Sequence, residues 1–246
     1  FHTAHEFGHG IYENGIDRAL ERTPLVELNS MVLHESQSRL WENLVCRSRP
    51  FWRFFFPRIQ EVFPEQLNGV TDEMYWRYVN RVEPGFIRVE ADEITYGMHI
   101  ILRYELEQEI IAGRVELRDL PHVWNEKMLE YLGLDPRDAA HGVLQDVHWS
   151  GGSFGYFPTY LLGTIASVQI WEKVRSELPD LPEQFERGEF GPLYEWLLEQ
   201  GPPLRQVGQR DQPALFARAA HELRGNVARV EAVVGGLQRF LARLAG

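Results

Sequence analysis

The chain has 246 residues, 44% of them hydrophobic and 25% charged, with a formal net charge of −11 at pH 7. It is long enough to bury one large core or two small ones, and its negative charge argues against nucleic acid or an anionic membrane as a partner. No stretch approaches the roughly 18 uninterrupted apolar residues of a membrane span, and a single cysteine, Cys46, excludes an internal disulfide, so the expected location is the cytoplasm.

The chain opens on Phe1 without a visible signal peptide, so it is expected either to have lost residues or to be one piece of a longer polypeptide. Helical periodicity dominates from there. A short helix is predicted over residues 2–14, with Gly15 as its stop. A second is predicted from Asn29 or Ser30, both good N-caps, up to Pro50. The aromatic run Phe51 to Phe56, ended by Pro57, reads as core or interface packing. A helix from Thr71 to about Arg81 follows, after which Pro84 and Gly85 leave residues 82–90 extended, with at most a short strand or hairpin. Helices over 91–112, stopped by Gly113, and over 120–132 come next. The three glycines of residues 150–158 predict an irregular loop, followed by a helix over 159–175 and further helices beyond Pro182. The predicted fold class is mainly α, with residues 1–246 forming a single domain.

The string His5-Glu6-Phe7-Gly8-His9 carries the chemistry. Positions i and i+4 stack on one helix face, so two imidazoles can reach one Zn²⁺ at about 2.0–2.1 Å. Glu6 lies beside them, where a general base can take a proton from a water acidified by the metal. A catalytic zinc needs a third protein ligand. The pattern that supplies it as a histidine six residues after the second wants Gly at 12 and His at 15, but Tyr12 and Gly15 stand there, which leaves a carboxylate. Glu27, Glu35 and Glu42 are the candidates, and chemistry alone does not choose among them.

The segments "HEFGHGIYENG" and "HESQSRLWENLV", with "IRVEAD" at 87–92 and "GVLQDVHW" at 142–149, strongly resemble the carboxypeptidase Taq family of metallocarboxypeptidases. The resemblance implies a helical gluzincin-type metallopeptidase domain in which Glu35 completes a site for Zn²⁺, with Co²⁺ as an alternative. It further implies hydrolysis of the last peptide bond of peptides with a free C-terminus, broad side-chain tolerance and a homodimer. Family members are about twice this long. The half that forms the other wall of their groove, and their D-x-R-x-T and H-P-F segments, have no counterpart here, and residues 201–246 read as a divergent helical tail.

Recognition of a C-terminal carboxylate asks for a planar cation, and Arg88, by its place in "IRVEAD", is the candidate, with an ion pair to Asp92 or Glu90 as its alternative role. Stabilising the oxyanion asks for preorganised donors. His148 and Tyr160 are similar in spacing to a histidine and tyrosine with that role in the related angiotensin-converting enzyme and thimet oligopeptidase families, and Tyr156 is a second tyrosine candidate. Gln145 is a candidate contact for substrate backbone. His2, His34, His99, His122 and His141 have no spacing that recommends them, and "HELRG" from His221 reads as a plain amphipathic helix. Two other readings accompany the carboxypeptidase: an endo- or oligopeptidase with the same metal site, and a truncated module that keeps the site for interaction alone.

Overall fold

The structure, a computed structural model, describes residues 1–20, 22–23, 31–136 and 138–199. Among these residues it is helical and holds no strand. The helices are α1 (His2–Asn14), α2 (Met31–Arg39), α3 (Arg49–Val62), α4 (Asp72–Val79), α5 (Thr95–Ile111), α6 (Leu120–Leu132), α7 (Phe157–Glu177), α8 (Leu181–Arg187) and α9 over 191–199. Two compact units are distinguished, Phe1–Ile16 with Ser30–Glu199 and Asp17–Asn29 with Gln200–Gly246. Helices α1 to α9 all belong to the first unit. The expected tail over 201–246, "HELRG", Glu27 and the N-cap candidates Asn29 and Ser30 lie outside the described residues.

Local chemistry accounts for most boundaries. The Thr71 side chain accepts a bond from the Met74 amide and starts α4, and Ser48 does the same for α3 through Phe51. Pro50 was expected to end a helix, but it sits in the first turn of α3, where its missing N–H costs nothing. Asp92 caps α5 by accepting from the Ile94 and Thr95 amides. Residues 82–90 form no strand. They are irregular and close into a 3₁₀ turn at Arg88–Glu90 that is held from outside by side chains. Gly15 caps α1 with φ −86°, so it is not the left-handed stop that its glycine suggested.

α2 is the unusual element. Its buried residues are Glu35, Ser36, Gln37, Ser38 and Arg39, a polar run in a position that core helices give to apolar side chains. Ser36 and Ser38 turn their hydroxyls onto the carbonyls of Leu33 and Glu35, which satisfies them inside the helix. After Arg39 the helix widens into a π-helical turn, Leu40–Val45, that carries Glu42. α1 and α7 pack against α2. Leu102, Leu106, Leu120, Trp124, Met128 and Leu132 form an apolar cluster between α5 and α6. In the aromatic run, Trp52 and Phe56 are buried while Phe51, Phe54 and Phe55 all meet Phe190, so these rings serve internal packing. Cys46 is buried, as expected of a small core residue.

Candidate metal centre and the adjoining arginine cluster

Two glycines determine how closely the helices around α2 can approach. A Cβ on Gly8 of α1 would lie 2.5 Å from the Ser38 Cα and the Gln37 carbonyl oxygen, and a Cβ on Gly163 of α7 would lie 2.6 Å from the Glu35 Cγ. Only a residue without a side chain fits at either contact. With both helices drawn in, His5 Nε2, His9 Nε2 and Glu35 Oε2 converge: the separations are 3.1 Å between the two nitrogens, 3.4 Å from His9 to Glu35 and 3.7 Å from His5 to Glu35. An ion with tetrahedral bonds of about 2.0–2.1 Å holds its ligand atoms about 3.4 Å apart, so the triangle has the size such an ion requires. Two imidazoles and a carboxylate are a donor set suited to zinc and to neighbouring transition metals. Burial, with His34 and His5 nearby, lowers His9 to about 4, so its ring is neutral at pH 7 and keeps a lone pair for a metal.

Of the three carboxylates considered for the third ligand, Glu35 stands in the triangle and Glu42 stands behind it. Glu42 Oε2 lies 2.8 Å from Nδ1 of His5, the outer-sphere arrangement that orients a ligating imidazole. Arg39 ties the two acids together by donating from Nε to Glu35 at 2.8 Å and from Nη1 to Glu42 at 3.1 Å. The Ser38 hydroxyl adds a 3.2 Å bond to the oxygen of Glu35 that faces the two imidazoles. Glu6 is exposed on α1, near enough to His9 for its charge to oppose the lowering of that ring. Behind His9 stands His34, set aside in the sequence, with its Nδ1 2.5 Å from Nδ1 of His9.

A second polar cluster adjoins the first through Tyr96, whose ring carries the Arg39 guanidinium 4.1 Å from its centroid and whose hydroxyl accepts from Arg88 Nη1 at 3.3 Å. Arg88 also donates from Nε and Nη2 to Asp146 Oδ1, at 2.9 and 2.6 Å. Its ion pair is therefore with Asp146 and not with Asp92 or Glu90. Arg103, fully buried, takes the other oxygen of Asp146 at 2.6 Å. Burial alone would raise Asp146, but Arg103 and Arg88 outweigh it and hold the carboxyl below its usual range.

Gln145 was expected to meet substrate backbone, and in the structure its amide is engaged within the chain. Its Oε1 accepts from the Arg88 amide and from Arg103 Nη2, and its Nε2 faces the carbonyls of Phe86, His141 and Gly142. An amide has two acceptor sites and two hydrogens, so these partners saturate Gln145, which ties the Arg88 backbone to the Arg103 guanidinium.

His148 and Tyr160 meet as their spacing suggested, Nε2 to hydroxyl at 3.0 Å, and the Tyr156 ring lies 5.9 Å from that of His148 and 5.2 Å from that of Tyr160. Tyr160 precedes Gly163 by three residues on α7, the spacing that puts two positions on one helix face, and Gly163 lies against Glu35. Burial pushes the Tyr160 hydroxyl up to about 12, so at neutral pH it is a hydrogen-bond donor. Burial and then Arg88 lower His148, which is neutral too. Its Nδ1 is buried without a hydrogen-bond partner. The loop before α7 is held by Glu107, whose carboxylate accepts from the Trp149 indole at 2.8 Å and the Gly155 amide at 3.1 Å.

His34, Glu13, Arg39, Tyr96, Asp146 and Glu107 were not picked out from the sequence. Arg39 had a signal, since it follows Glu35 by four residues, the spacing of a helical ion pair. The remainder depend on contacts between segments far apart in the chain. Of the other histidines, His99 is buried and bonded to the Gly85 carbonyl, while His122 and His141 are exposed beside Glu126 and Asp138.

Residues 1–227 match the model of the carboxypeptidase Taq (M32) metallopeptidase family, a match that extends into the expected tail. The chain is 48% identical to carboxypeptidase 1 of Bacillus subtilis over 213 residues, which is 87% of this chain and 42% of that protein. It is 50% identical to thermostable carboxypeptidase 1 of Thermus thermophilus over 196 residues, 80% and 38% of the respective chains. The crystal structure of an M32 carboxypeptidase from Deinococcus radiodurans superposes with a TM-score of 0.75 at 46% identity, over 80% of this chain and 40% of that one. The chain thus spans about two fifths of the length of the curated relatives it matches.

Proposed function

Since the chain belongs to the carboxypeptidase Taq (M32) metallopeptidase family, we propose that it is the metal-bearing part of a zinc carboxypeptidase that removes the last residue of peptides with a free C-terminus. The observation that carries the proposal is the triangle of His5, His9 and Glu35 donor atoms, which has the size and chemistry of a three-ligand zinc site. Zn²⁺ bound there, or Co²⁺ in its place, would act as a Lewis acid toward water and the scissile carbonyl.

The chain's own residues supply the rest. Glu6, one position after His5 and open to solvent, takes the proton of the attacking water and returns it to the leaving amine. Tyr160, a hydrogen-bond donor at pH 7, is assigned to the oxyanion, with His148 fixing its hydroxyl and Tyr156 beside both. Arg88 is assigned to the substrate's terminal carboxylate. Two of its nitrogens are committed to Asp146, but Nη1 holds only the long 3.3 Å contact to Tyr96 and can exchange it for a carboxylate oxygen. Asp146 holds that guanidinium in place, and Gln145 fixes the Arg88 backbone and the Arg103 guanidinium beside it. Among the described residues no helix is long and apolar enough to cross a membrane, and we assign the activity to the cytoplasm, with the homodimer that the family resemblance implies.

Glu6→Gln tests the assignment. It is expected to retain zinc and to lose activity by about 10²–10⁴-fold, and full activity in that variant would end the proposal. A blocked dipeptide offered as free acid and as amide separates the alternatives. Cleavage of the acid alone supports the carboxypeptidase, whereas equal cleavage of the amide makes it an oligopeptidase.

A further inference from the structure

The two ligand imidazoles are not supported alike. Behind His5 stands a carboxylate, Glu42, itself held by Arg39. Behind His9 stands another imidazole, whose far nitrogen, Nε2 of His34, lies 2.6 Å from Glu13 Oε1. The His34 ring packs 4.6 Å from that of His9 and 4.7 Å from that of Tyr12. Glu13 is largely exposed, while His34 is mostly enclosed.

Proton counting along this row leaves one arrangement that suits a metal. For Nε2 of His9 to present a lone pair to the triangle, its ring proton must sit on Nδ1. That proton points at Nδ1 of His34, which must then be an acceptor, so the His34 proton is on Nε2 and is donated to Glu13. The acidic end, which can only accept, thus sets the direction of both bonds. If Nδ1 of His34 carried the proton, His9 would have to accept it, and its own proton would then sit on the nitrogen that faces the ligand triangle.

We propose that His34, oriented by Glu13, is a positioning residue that fixes His9 in the Nδ1–H tautomer and so prepares its Nε2 for the metal. The inference rests on the metal-site reading above. It assigns a role to the histidine immediately before the third ligand, which no spacing rule marks. Because the two residues sit next to each other on α2, the same turn that brings Glu35 to the ion brings His34 behind His9.

The test is metal affinity together with ring tautomer, neither of which needs an active enzyme. Zn²⁺ affinity is measured by chelator competition on the chain and on His34→Phe, which keeps a ring of similar shape against Tyr12 and His9 but accepts no bond. Affinity is expected to fall about 10–100-fold, the usual effect of losing an outer-sphere partner. His34→Gln, whose amide oxygen can accept, is expected to recover most of it. Glu13→Gln is expected to lose less than His34→Phe, because that partner is exposed. In the metal-free chain, nitrogen-15 spectra of the imidazoles are expected to show His9 protonated on Nδ1. An unchanged affinity in His34→Phe, or a His9 proton on Nε2 in the metal-free chain, overturns the inference. Should His34→Phe fail to fold, the tautomer of His9 decides alone. A chain that binds zinc, loses it in His5→Phe and keeps it in His34→Phe removes only this inference, whereas a wild-type chain that binds no zinc removes the metal-site reading beneath it.

Discussion

The metal corner and the arginine corner meet at Tyr96, yet each handles buried charge differently. At Arg88, Arg103 and Asp146 the charges compensate one another: one carboxylate lies between two guanidiniums, and Gln145 and Tyr96 take donors that Asp146 does not. At His5, His9 and Glu35 the donor atoms face one another at 3.1 to 3.7 Å, and among the described residues no arginine or lysine is paired with the Glu35 oxygen that faces the imidazoles. Arg39 relieves Glu35 only from behind, on the oxygen that does not face the imidazoles. The contrast separates the two roles proposed above. A cluster that satisfies itself gives a rigid frame on which a substrate group can be held. On the proposed reading the converging donors are completed by an ion, so the stability of that corner is expected to follow metal concentration while that of the other is not.

Breaking the self-compensated corner is expected to have the largest effect on stability. Asp146→Ala leaves two buried guanidiniums facing each other, with an expected cost of about 3–5 kcal/mol in urea unfolding. The extra stability conferred by zinc should persist in any fraction that folds, and its loss together with Asp146 would show that the corners are not separable.

Acid should act on the arginine corner through His99, which lies under Arg103 and is lowered to about 4 by burial and then by that guanidinium. The unfolded ring titrates near its ordinary 6.5. Between pH 6.5 and 4 the unfolded chain therefore binds the proton and the folded chain does not, so stability is full above 6.5 and falls as pH drops toward 4. The expected loss is about 3 kcal/mol in the metal-free chain. His99→Gln should remove that contribution and make the fall shallower, while the comparable contribution of His9, also lowered to about 4, remains. An equal slope in wild type and variant would assign the acid sensitivity elsewhere.

Gly163→Ala sharpens the contrast at smaller cost. The added methyl would meet the Glu35 side chain, so a destabilisation of about 1–3 kcal/mol is expected, with zinc affinity reduced and the Arg88–Asp146 pair unchanged. A variant as stable as wild type, with undiminished zinc affinity, would mean that α7 can retreat from α2 without disturbing the ligands.

The two corners also differ in how far the sequence disclosed them. The metal corner rests on short periodicities: His5 and His9 are one helical turn apart, and the segment resemblance selected Glu35 from three acids that chemistry could not separate. Glu42 was among those acids, and its position behind His5 depends on the π-helical turn, for which no residue pattern gave a sign. His34 was dismissed because its partner is 25 residues away on another helix. In the arginine corner, Arg88 was marked by its motif, but its partner is 58 residues distant and was sought among nearer acids. The partners of Gln145 were not legible for the same reason, since the demands on its amide come from α5 and from the turn at Arg88. Helix positions followed local propensity closely, and the departures at Pro50 and Gly15 were cases in which one residue type serves more than one kind of helix end.

The central claim is that His5, His9 and Glu35 hold one divalent ion, and the direct measurement is zinc bound per chain, with its dissociation constant, for wild type and Glu35→Gln. The expected result is one ion per wild-type chain and a weakening of at least about 10-fold in the variant, where a charged ligand has become a neutral amide. Equal affinity in the two chains, or no stoichiometric zinc in wild type, would contradict it.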